Sequence, residues 1–177
     1  DCEGVCDGSS INDIDGNCYT TVQIGDQVWM AENLKVTHYN NGDEILTGYS
    51  NSEWTNLSTG AYAVYYDNPS NTETYGNLYN WYAVDDNRGM CSEDWHIHTD
   101  EEIKLLEMYL GMSESEANSD GWRGTDEGGK LKEEGLEHWN SPNTGATNES
   151  RFTGLPGGAR DSNGRYFNIG GGGYYWT

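Results

Sequence analysis

Two stretches of this chain carry oxygen ligands at spacings that a hard cation can use. Asp13-x-Asp15-Gly16-Asn17 sets two carboxylates and an amide on a tight turn, which is calcium chemistry, although no glutamate follows where an EF-hand loop requires one. Asn140, Asn143, Asn148 and Glu149 gather further amide and carboxylate oxygens around Pro142. The expected cofactor is therefore calcium, with Asp13, Asp15, Asn17, Asn143, Asn148 and Glu149 as its ligands. The histidines His38, His96, His98 and His138 are scattered, and His96 and His98 alternate on an expected strand without a third ligand, so they read as structural. No nucleophile elbow, phosphate loop or zincin motif is present, and no carboxylate spacing singles out an acid/base pair. The chain is accordingly not expected to be an enzyme.

Aromatic side chains offer a different chemistry. Trp54, Trp122, Tyr174, Tyr175 and Trp176 lie in or next to Gly- and Asn-rich loops, where exposed rings can stack on the apolar faces of sugars. The competing reading is that such rings fill a core short of aliphatic residues.

These groups must be held by a few short elements. Thr99-Asp100-Glu101-Glu102 has the form of a capping box, and behind it Ile103, Leu106 and Leu110, widened by Leu105 and Tyr109, predict a helix over about 100–110 that Gly111 ends. Leu78, Trp81 and Tyr82 predict a second short helix near 76–84 with an aromatic face packed on the core. Asp15-Gly16 and Gly25-Asp26 are turn signals around an alternating run, so residues 13–30 read as a hairpin. AYAVYY, 61–66, reads as a strand. Ser113-x-x-Glu116 and Gly128 to Glu134 open further short helices, and two or three short strands follow in the tail. Strands, then helices, then strands argue for an α+β fold.

The chain has 177 residues, enough for one domain behind a cysteine-containing extension over 1–12. Thirty acidic residues against nine basic give a net charge of −21, which repels phosphate backbones and anionic membranes. Calcium ligation, a salty medium and plain solubility each account for such acidity. No apolar run reaches transmembrane length, so direct membrane insertion is not expected. No signal peptide occurs either, so Asp1 is read as a mature or trimmed start. Four cysteines, Cys2, Cys6, Cys18 and Cys91, suit disulfides in an oxidising compartment better than a zinc site. Of the three connectivities, Cys2 with Cys6 and Cys18 with Cys91 is the expected one.

The runs DIDGNCYTTVQIGDQVWMAENLKVTHYNNGDEI (13–45), YGNLYNWYAV (75–84), CSEDWHIHTDEEIKLLEMYLG (91–111), GGKLKEEGLEHW (128–139) and ATNESRFTGLPGGARDSNGRYFNIGGGGYYWT (146–177) resemble the Fibrobacter succinogenes major paralogous domain family. The resemblance implies a secreted or cell-surface bacterial domain over 13–177. It implies an α+β, C-type-lectin-like fold of small twisted antiparallel sheets, one main helix and one or two short ones, distantly similar to the formylglycine-generating enzyme group. The family supplies no catalytic residues to carry over. It usually continues past GYYWT into further strands, and it often has a cysteine where this chain has Ala63. The copper-dependent chemistry of the fold relatives needs a late cysteine pair that this chain lacks. The expectation is a non-catalytic adhesion module that recognises a glycan or another extracellular polymer. The alternative is a subunit of an extracellular filament or sheath, whose partners are copies of itself added strand to strand at an open sheet edge.

Overall fold

The computed structural model describes residues 10–177. Its first unit is a three-stranded antiparallel sheet of β1 (Ser10–Asn12), β2 (Cys18–Ile24) and β3 (Gln27–Met30), in that spatial order. The expected hairpin forms, with Val22 opposite Trp29 and the turn at Gly25. Residues 10–12 pair with Asn12 opposite Cys18, so the last part of the stretch read as an extension belongs to this sheet.

Short elements follow in a loop-rich path: α1 (Asn51–Thr55), β4 (Tyr62–Ala63), a 3-10 turn (Tyr65–Asp67), α2 (Ser70–Tyr75), β5 (Leu78–Tyr79) and α3 (Trp81–Val84). AYAVYY thus yields a two-residue strand and a 3-10 turn in place of one strand. The helix expected near 76–84 begins only at Trp81. Asn80 is its N-cap, accepting from the Ala83 amide through Oδ1, which also accepts from the Ala61 amide. That cap leaves Leu78 and Tyr79 to pair with β4. Trp81 and Tyr82 are exposed, contrary to the expected core-packed stripe.

The main helix, α4 (Asp100–Tyr109), has the predicted box: Thr99 accepts from the Glu102 amide while the Glu102 carboxylate accepts from the Thr99 amide. Its inner face buries Leu106 and Leu110 against Ile24 and Trp29, with Ile103 at the edge. Leu105 and Tyr109 stay exposed, so the apolar stripe is narrower than the sequence suggested. The Tyr109 ring lies over the Gly25 turn, where a Cβ would meet its Cδ2 at 2.8 Å and where φ is +62°, so only glycine suits that turn.

After α4 come α5 (Glu114–Ala117), capped by Ser113, then α6 (Glu127–Leu131), and the antiparallel pair β6 (Ala159–Arg160) and β7 (Tyr166–Phe167). Two further clusters complete the core: Val36, Tyr39, Ile45, Ala83 and Met90 in one, Trp54, Ala61 and Ala63 in the other. The fold is mixed α and β, with small antiparallel sheets and few helices. No helix among the described residues is long and apolar enough to cross a membrane.

Candidate functional site

Strand alternation turns Trp29 inward while Val28 faces solvent, and the inward indole begins a run of aromatic rings. Trp29 lies 5.4 Å from the His98 ring and 6.2 Å, edge-on, from Phe152; Phe152 in turn lies 5.9 Å, edge-on, from Tyr175. These rings line a cleft of about 910 Å³. Its other walls are the segment 31–35 after β3, the segment 91–98 before α4, and Glu133 with His138.

The segment 31–35 is held by the turn that sequence reading assigned to calcium. Asp13 Oδ1 accepts from the amides of Asp15 and Asn17, and Oδ2 from Asn17 Nδ2 and the Tyr19 hydroxyl. Four donors occupy the buried Asp13 carboxylate, so in this structure its oxygens serve the turn. The same Tyr19 hydroxyl accepts from the Lys35 amide, and burial beside Asp13 drives its pKa far above the ordinary phenol value. Asp15 turns away to Thr37 Oγ1 at 2.8 Å and to His38. The Asp-x-Asp-Gly-Asn motif is a clip that fastens residues 35–38 to the hairpin.

The polar rim carries two histidine–carboxylate pairs. Glu102 joins His96 Nε2 at 2.8 Å while serving the capping box, and the Thr99 amide holds its carboxyl below the usual range. Glu133 accepts from His138 Nδ1 at 2.8 Å, and the Tyr75 ring packs edge-on against that imidazole. Glu133, Glu137 and His138 offer one ligand atom each within 4.8 Å of one another, the one such trio among the described residues. Sequence reading missed it; its signal was Glu133-x-x-x-Glu137-His138. His98 differs from the other three histidines. Burial lowers its pKa, and its Nε2, like Trp29 Nε1, is shut off from solvent and meets no hydrogen-bond partner among the described residues.

Cys91 also lines the cleft, as a free thiol. The expected Cys18–Cys91 bridge is therefore not formed. Cys18 is disulfide-bonded all the same, and the Cys2–Cys6 expectation lies outside the described residues. Burial pushes the Cys91 thiol up to about 11, so it is a poor nucleophile at neutral pH.

The remaining predicted residues disperse. Asn143 Nδ2 donates to the carbonyls of Glu133 and Gly135, bracing the loop that carries Glu133, while its buried Oδ1 meets no partner among the described residues. Asn148 bonds the Thr153 backbone and hydroxyl, and Glu149 lies exposed on a separate shallow groove beside β2. Asn143 and Asn148 are thus tied into different loops. Trp54 is buried, with the Arg160 guanidinium 4.3 Å over its ring, so it is core and not platform. Trp122 is fully exposed. Tyr174 accepts from Asn168 Nδ2, and Trp176 donates to the Tyr79 carbonyl and leans on Trp81 at 5.6 Å. Of the five rings proposed for ligand contact, Tyr175 alone lines the cleft. The residue is 47% exposed, and burial pushes its hydroxyl up to about 12.

A family model described as the Fibrobacter succinogenes major domain matches residues 22–177. The chain belongs to that family. No curated protein and no solved structure matches it. The major-domain span contains every wall of the cleft, from Trp29 to Tyr175, whereas the Asp13–Tyr19 clip lies just ahead of it. Within the major domain the cleft joins an aromatic wall to a rim of carboxylates and imidazoles, without an activated nucleophile on its wall.

Proposed function

We propose that this chain is a non-catalytic binding module, secreted or displayed on a cell surface, with a lectin-like fold, and that the cleft takes a glycan segment or a similar extracellular polymer. The observation that carries this reading is the continuous run of rings from His98 through Trp29 and Phe152 to Tyr175 below a hydrogen-bonding rim. Sugars present apolar ring faces and hydroxyl edges, and a wall of this kind meets both. The disulfide at Cys18 favours an oxidising compartment, and the net charge of −21 disfavours nucleic acid as a partner.

The test is titration of soluble polysaccharides by calorimetry and tryptophan fluorescence, alongside light scattering. Binding that falls about tenfold in Tyr175→Ala, the loss of one stacking contact, is the expected result. If no polysaccharide binds and the protein scatters as large ordered assemblies, the reading fails and the filament-subunit alternative replaces it.

A further inference from the structure

The aromatic wall contains two polar atoms without a counterpart among the described residues. Trp29 is 9% exposed and lines the cleft, and its Nε1–H can only donate. His98 packs against it, and its Nε2 is equally unmatched. Buried polar groups in native proteins are nearly always paired, so two orphans in contacting rings on one cleft wall point to a group supplied from outside. A hydroxyl fits both: it accepts from the indole N–H and, by rotating, either donates to or accepts from the imidazole. The surrounding charge narrows the choice further. Glu32, Glu73, Asp94, Glu102 and Glu133 line the same cleft against Lys35, so a carboxylated or sulfated ligand meets repulsion.

Resting on the reading of the cleft as a glycan site, we propose that it selects uncharged saccharides and that one sugar hydroxyl is seated between Trp29 Nε1 and His98 Nε2. In the unliganded chain both atoms are closed off, and entry requires the His98 ring to move. Nothing tethers that ring by a hydrogen bond at Nε2, in contrast to His96, which Glu102 fixes. The segment 95–98 that carries it has no regular secondary structure, so the shift breaks no ladder.

The experiment titrates the full chain with cellohexaose, xylohexaose and mannohexaose, with hexagalacturonate and a heparin-derived hexasaccharide as anionic counterparts. Affinity is read by calorimetry, and the Trp29 indole N–H resonance is followed by NMR. The expected result is binding of at least one neutral hexasaccharide, a shift of the Trp29 indole proton at saturation, and binding about tenfold weaker in His98→Phe. A merely structural histidine predicts a destabilised variant, whereas removing an unpaired buried nitrogen leaves the Tm of His98→Phe equal to or above that of the parent. If the anionic sugars bind as well as the neutral ones, or a bound sugar leaves the Trp29 resonance unmoved, the seat is wrong while the cleft remains a glycan site. If no saccharide binds, both fall. The NMR arm uses the unaltered chain, so the question is decided even if His98→Phe does not fold.

Discussion

Asp13 shows how much one carboxylate can organise. It gathers two amides, an asparagine and a tyrosine hydroxyl, and through Tyr19 it reaches the Lys35 amide in the wall of the cleft. Asp13→Ala removes the acceptor of the buried Tyr19 hydroxyl and opens the turn, at an expected cost of about 3 kcal/mol. Urea unfolding of the variant measures this, and a loss below about 1 kcal/mol would mean that the clip is replaceable by water. A chelator is expected to leave the stability of this turn untouched, because protein donors already fill the carboxylate. The motif was visible in the sequence but its partner set was not: Asp, Gly and Asn suit a turn and a metal loop equally, and only the fold brings Tyr19 to Asp13 and Thr37 and His38 to Asp15.

Among the elements, legibility followed the locality of the interactions. The α4 capping box and the β2–β3 hairpin are decided by residues a few positions apart, and both were readable. The β4–β5 pair was not, because Asn80 decides it by bonding Ala61 and Ala83 together across a long loop. The cleft was barely readable for the same reason: Tyr175 was named among five candidate rings, while Trp29, Phe152 and His98 look like ordinary core residues until the segments meet. Gly76 sits where two such segments cross, with φ +70°, and a Cβ there would stand 2.7 Å from the Leu34 carbonyl and from Asn33 Cβ. Because backbone cannot step aside as a side chain can, Gly76→Ala is expected to lower stability by about 2–3 kcal/mol and to displace the 33–35 wall. Thermal melts would check the first effect; saccharide affinity, the second.

At the scale of the molecule, charge dominates. Lys35, Arg88, Lys104, Arg123 and Lys130 are all paired with carboxylates, yet most of the acidic residues remain uncompensated. Raising salt from low to moderate concentration therefore screens more repulsion than attraction. The Tm is expected to rise by roughly 2–4 °C, and a fall would show that the ion pairs outweigh the net field. Acidification exposes a second, local effect. His98 is held below its ordinary 6.5 by burial, so on acidification the unfolded chain takes up a proton before the folded one does. Stability from this source is intact above 6.5 and is lost as pH falls below it. Carboxylate repulsion runs the other way, so the measurement is the difference between parent and His98→Phe. That difference should move in favour of the variant between about pH 7 and pH 5.

The stitching between distant parts of the chain sets a clock as well as a shape. Trp176 reaches the Tyr79 carbonyl across 97 positions and Arg160 reaches that of Tyr49 across 111, while α4 needs only its own neighbours. Loops of that length close slowly, so local helix forms early and the long-range seams form late. In a refolding run the far-ultraviolet signal should recover first and the capacity to bind should lag behind it. A newly made molecule would carry its helix for some time before it had anywhere to put a ligand.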